Sequence, residues 1–274
     1  MGIHVSTEFA VPAAYAVLIW WFTTGLILIL DGRPRSTFRL SISAATVVLA
    51  AAVYQMHASA MDPSTGGAYL AFTCAVLVWG WLEMSFLMGF ITGPRKHSCG
   101  ERCSGWRHFL HATQAIIYNE IATIAGAAGI LAITWQAANR LALWTYLLLW
   151  AMRVSAKLNL FLGVPNLGEK FLPPHLTYLK SFFRRRPMNL LFPVSISGST
   201  VTLCVLAQKY AAADDPFKST SYALLLSLLA LAVLEHWFMV LPLPSERLWK
   251  WAMRNERGRN RDSPLESRIR AKAP

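Results

Sequence analysis

RVSAKLNLFLGVPNLGEKFLPPHLTYLKSFFRRRPMNLLFP, residues Arg153–Pro193, contains the two kinds of sequence from which the whole chain is built. It starts inside an oily run that only Arg153, Lys157 and Asn159 interrupt. Gly163, Val164 and Pro165 end that run, because a proline pushes the residue before it out of helical geometry. Pro173 and Pro174 precede a short segment in which Leu176, Leu179, Phe182 and Phe183 recur at helical spacing beside Lys180, Arg184, Arg185 and Arg186. The stretch reads as the inner end of a membrane helix followed by a basic loop. The loop is expected to carry a short helix in the membrane surface, with its cations toward anionic lipid headgroups. An ordinary solvated basic loop is the alternative.

Working outward, the same alternation of oily block and basic connector runs along all 274 residues, of which 55% are hydrophobic and 15% charged. Seven apolar blocks reach the roughly 20 residues that a helix needs to cross the hydrocarbon. They cover Val11–Leu30, Leu40–Ala60, Gly67–Thr92, Phe109–Trp135, Leu141–Phe161, Phe192–Tyr210 and Ser221–Leu241. Backbone polar groups in lipid must be satisfied within the segment, so each block predicts a helix. The expected architecture is all-α and polytopic, with seven transmembrane helices. A membrane domain over residues 1–244 is followed by a basic tail over 245–274, which starts with Leu248, Trp249 and Trp251 as an interfacial anchor. Beyond Asn255 the tail composition predicts disorder. The N-terminus has no basic n-region or small-residue cleavage site, so the first block is expected to be retained.

The net charge of +12 is concentrated between the blocks. Connectors one, three and five and the tail hold 21 cations, whereas the other side of the bilayer holds only Arg140, Lys209 and Lys218. The positive-inside rule then places the N-terminus outside and the tail in the cytoplasm. No aromatic-interleaved basic domain is present, and no nucleic-acid partner is expected.

Five charges lie well inside the blocks: Glu83, Glu120, Arg153, Lys157 and Glu235. Unpaired near the bilayer centre, each costs roughly 3 kcal/mol, and five would cost about 15, the size of a typical fold's whole stability. They are expected to face the bundle interior, with Arg153 and Lys157 (one helix face, four residues apart) opposite some of the acids. Such a cluster serves either as structural glue or as the lining of a site for a polar ligand or proton.

Two histidines near the inner ends of their spans, His111 and His236, are candidate pigment ligands, because a neutral imidazole in an apolar helix can bind the magnesium of a chlorin. The run Cys99-x3-Cys103-x4-His108-x2-His111 offers four metal donors, but its spacing fits no standard finger and no metal is assigned. Thiols there are expected to stay reduced in a cytoplasmic loop. The histidine boxes of membrane di-iron enzymes, the G-x-S-x-G elbow, the P-loop and G-x-G-x-x-G are missing. The last span lacks a lysine for a retinal Schiff base. No catalytic residue is assigned.

KLNLFLGVPNLGEKFLPPHL (Lys157–Leu176) and SFFRRRPMNLLFP (Ser181–Pro193) resemble the PuhE family, assigned to photosynthetic complex assembly and encoded beside the reaction-centre H subunit in purple bacteria. AYLAFTCAVLVWGWLEMSFLMGFITGPR (Ala68–Arg95), WWFTTGLILILDG and LAVLEHWFMVLPLP are similar as well, and the likeness extends to about Pro244. The resemblance implies a membrane factor for reaction-centre and light-harvesting complex assembly or for bacteriochlorophyll supply. Its implied partners are photosynthetic complex subunits or bacteriochlorophyll biosynthesis enzymes, with bacteriochlorophyll or a precursor as the cofactor to consider. Its implied location is the bacterial inner membrane, including the intracytoplasmic photosynthetic membrane. The alternative is an intramembrane enzyme or carrier acting on a tetrapyrrole or lipid. The family supplies no catalytic residues to carry over.

Overall fold

A computed structural model describes residues 7–100, 103–241 and 251. These residues form seven α-helices and no strand: α1 (Thr7–Asp31), α2 (Phe38–Ala58), α3 (Thr65–Leu87), α4 (Gly105–Thr134), α5 (Leu141–Leu162), α6 (Leu191–Ala211) and α7 (Pro216–Val240). Short 3-10 turns occupy Arg35–Thr37, Glu169–Phe171 and Pro174–Phe182. Apart from Trp251, whose ring lies 5.0 Å from that of Trp21 at a tilt of 47° and against Gly25 of α1, the tail and its interfacial anchor lie outside the described residues.

Six helices are long and apolar enough to cross a membrane. The exception is α5, whose 22 residues suffice for a core of about 30 Å at about 1.5 Å per residue but whose Arg153, Lys157 and Asn159 lower its apolarity. The outside of the bundle is oily: Leu40 (75% exposed), Val47 (72%), Val194 (65%) and Val201 (63%) project from it. A soluble monomer rarely shows so wide an apolar surface, whereas lipid accepts it without cost.

The bundle is built around α3, which touches α1, α2, α4, α5 and α7. Twelve of its residues are buried. Ala68, Ala71 and Ala75 recur along one side, and small side chains let neighbouring backbones come close where lipid gives no hydrophobic drive. Phe72, Tyr146, Leu224 and Leu228 fill the same core from α3, α5 and α7. The Tyr146 hydroxyl donates to the Thr123 carbonyl at 2.8 Å, and a Cβ on Gly126 would overlap it.

Two features differ from the expected pattern by more than a helix end. The third apolar block runs to Thr92, yet α3 stops at Leu87. Gly89 takes a left-handed φ of +81°, and the Phe90 and Ile91 amides turn back to the Ser85 carbonyl. The chain then lies against α4, with Arg95 N–H donating to Gln114 O and Asn119 N–H donating to Thr92 O. A Cβ on Gly93 would overlap the Gln114 carbonyl, so only glycine permits this approach. The second difference concerns Pro174–Phe182. Its apolar residues repeat every three positions, which is the period of a 3-10 helix, and Leu176, Leu179 and Phe182 are buried against Phe86 and Ala115. The expected lipid-facing surface helix is instead packed onto the bundle, because its apolar face finds protein closer than lipid.

Candidate functional site

The charged residues of the spans meet on α3, α4, α5 and α7. Arg153 on α5 reaches Glu83 on α3 at 2.5 Å. One turn further on, Lys157 reaches Glu120 on α4 at 2.6 Å. Two ion pairs thus tie α5, the helix outside the six apolar enough to cross a membrane, to both neighbours. Among the described residues Glu235 on α7 joins no ion pair; it lies near Arg153 and Glu83, takes a hydrogen bond from Trp20 and is exposed at the bundle surface. The five charges therefore do not form one enclosed cluster. Four pair inside, and the fifth stands at the rim.

Beside the ion pairs runs a neutral hydrogen-bonded seam that the sequence reading did not single out. Ser155 Oγ lies 2.9 Å from His236 Nε2 and 3.0 Å from Ser195 Oγ, and Asn159 Nδ2 donates to the same Ser195 oxygen at 3.2 Å. His236 Nδ1 donates to the Ala232 carbonyl at 2.9 Å. Asn189 donates to the Asn159 and Gly163 carbonyls and accepts from Leu191 and Phe192 N–H, so it closes the end of α5 and opens α6 together. The serine and asparagine positions on α5 and α6 share one face, and that pattern was the available signal.

The candidate pigment ligands fit this arrangement poorly. His236 is 2% exposed with both ring nitrogens engaged, so a chlorin magnesium would have to displace Ser155. His111 points Nδ1 at two sulfurs, Cys99 Sγ at 3.4 Å and Cys103 Sγ at 3.1 Å. Those cysteines, expected as free thiols, are paired with each other. His108 turns away from them and stacks between Phe161 and Phe182.

The basic connectors pack into a cap. His175 Nε2 donates to the Leu87 carbonyl at 2.7 Å, Cys99 N–H donates to Ser181 Oγ, and Asn166 Nδ2 donates to the carbonyls of Phe238 and Leu241 at the end of α7. Burial and the nearby Arg35 guanidinium hold His175 below its ordinary value of 6.5, so it is neutral at neutral pH. An open cleft of about 380 Å³ lies beside it. Arg35, Arg39 and Lys96 line it together with Phe38, Met88, Phe90 and Leu176, and among the described residues no carboxylate does. Lys180 and Arg185 share Glu169, while Arg184 stacks over Phe161. Part of the basic loop is thus neutralised or pinned by the protein itself.

A relative from Rhodobacter capsulatus, described as an uncharacterized 30.4 kDa protein in the puhA 5′ region, is 40% identical over 245 residues, 88% of this chain and 89% of its own. No solved structure matches the chain. The model of a family described as protein of unknown function (DUF3623) matches residues 6–260. That span takes in every helix, both ion pairs and the cap, and the chain belongs to this family.

Proposed function

We propose that this chain is an integral membrane factor for assembly of the photosynthetic reaction centre and light-harvesting complexes, or for supplying their bacteriochlorophyll. The observation that carries the reading is the 40% identical relative whose description places it in the puhA 5′ region. All seven helices span the bilayer, α5 by virtue of its ion pairs to α3 and α4. The cations put the capped end in the cytoplasm and the N-terminus outside. There the Gly163–Arg186 face docks a nascent complex subunit or a pigment biosynthesis enzyme, with anionic lipid around it. The location is the bacterial inner membrane and its photosynthetic invaginations. Affinity purification from the native membrane in mild detergent, followed by mass spectrometry and an absorption spectrum, tests this. A photosynthetic subunit, a pigment enzyme or a chlorin spectrum is expected. Finding none of the three overturns it.

A second reading, an intramembrane enzyme or carrier for a tetrapyrrole or lipid, is favoured by the two ion pairs on successive turns of α5, with Glu235 near the first. Replacing one pair by apolar residues, as in Glu120→Leu with Lys157→Met, separates the two. Normal abundance with lost photosynthetic complex supports the carrier. Normal abundance with normal complex supports the assembly factor.

A further inference from the structure

We propose that Cys99, Cys103 and His111, with both cysteines reduced, form a binding site for a single soft metal ion, zinc(II) or copper(I). The three donor atoms lie within 4.8 Å of one another. Both sulfurs sit against the same imidazole nitrogen, at 3.4 and 3.1 Å. A tetrahedral zinc with Zn–S of about 2.3 Å and Zn–N of about 2.0 Å would hold neighbouring sulfur and nitrogen about 3.6 Å apart, so the imidazole is nearly in place. A disulfide alone gives no reason for an imidazole to converge on both of its sulfurs.

The surroundings are built to hold the donors. Cys103 N–H donates to Gly100 O at 2.9 Å. Cys99 N–H donates to Ser181 Oγ at 2.9 Å, and Ser181 in turn donates to the Tyr178 carbonyl. Cys99 also packs on the small core of Phe86, Ala115, Leu176, Leu179 and Phe182. All three donors are partly exposed, which leaves a fourth position for solvent or a partner's ligand. Among the described residues the donor set is two sulfurs and one nitrogen, and Arg95, Arg107, His108 and His97 lie near His111. Such a set selects zinc or copper(I) over magnesium, calcium or manganese. Binding two thiolates releases two protons and leaves the zinc site neutral, which the neighbouring guanidinium groups tolerate. A bound ion would staple the connector before α4 to α4 itself and brace the Pro174–Phe182 turn beneath it.

The test uses the full-length protein purified in detergent under reductant, with zinc(II) and copper(I) supplied in separate arms and metal content measured by mass spectrometry. About one equivalent of one metal is expected, retained through gel filtration; the arm that retains it identifies the ion. Cobalt(II) should give a sulfur-to-metal charge-transfer band. Cys103→Ser and His111→Ala should each abolish retention and the band, while Cys74→Ser with Cys204→Ser changes neither. Thermal melting of the variants in the same detergent, with metal withheld, confirms that they are folded. Retention of neither ion by the reduced wild type overturns the proposal. So does retention or a cobalt band that survives Cys103→Ser. The outcome does not depend on the photosynthetic reading.

Discussion

The Glu120–Lys157 contact shows what a single residue does in this bundle. Both side chains are 22% exposed, so each charge relies chiefly on the other for its stabilisation. Lys157→Met alone strands the Glu120 carboxylate and should lower stability by about 3–5 kcal/mol, whereas adding Glu120→Leu should recover most of that. Steady-state abundance in the membrane together with melting in detergent measures both. Gly93→Ala drives a methyl group into the Gln114 carbonyl and should cost about 1–3 kcal/mol. Gly129→Ala in α4, with nothing within 4 Å, should be neutral or stabilising by up to about 1 kcal/mol. His175 gives the cap a pH dependence. Its folded value lies below 6.5, so the unfolded chain binds the proton more readily. Its contribution is therefore complete above about pH 6.5 and is lost as pH falls through the lower folded value. Melting followed between pH 7.5 and 5 should show this loss, and His175→Gln should flatten it.

At the scale of the element, α4 and α5 explain each other. At 30 residues and about 1.5 Å each, α4 is about 45 Å long, matching a bilayer with its headgroups rather than the hydrocarbon alone. Exposed Trp106 and Trp135 mark its two ends, as interfacial aromatics do. Its first turns therefore stand above the hydrocarbon, and His111 meets the two cysteines there rather than in lipid. The same offset puts Glu120, at the middle of α4, level with Lys157, five residues from the end of α5. A cysteine replacing Trp106 should react with a membrane-impermeant maleimide added from the capped side. One replacing Ile124, also exposed in the bundle, should not. Equal labelling of both would contradict this placement of α4.

On the scale of the molecule, the interior is a helix, α3, and the cap is made of connectors. Most of the apolar surface of α2 and α6 points outward, which makes lipid a structural component. If the side with 21 cations is cytoplasmic, as proposed, a C-terminal alkaline phosphatase fusion should be inactive and a C-terminal fluorescent protein bright. The opposite result would invert every assignment of sides, including the docking face.

Helix number and approximate span were legible in the chain because lipid leaves the backbone one solution and the oily blocks are long. That Arg153 and Lys157 need acids was legible too, since a lone charge at that depth costs too much. Their partners were not: Glu83, Glu120 and Glu235 satisfy composition equally, and only helix packing seats two of them inside and leaves Glu235 at the rim. The end of α3 was hidden for a related reason, since Met88–Thr92 is as apolar as the helix before it, and its departure depends on Gly93 meeting α4. Likewise, Leu176, Leu179 and Phe182 declared an apolar face, but whether lipid or protein would cover it depended on where the loop landed. The Cys99–Cys103–His111 cluster belongs wholly to tertiary structure. Its spacing matches no local motif, because one donor arrives on a helix and two on a loop folded back against it.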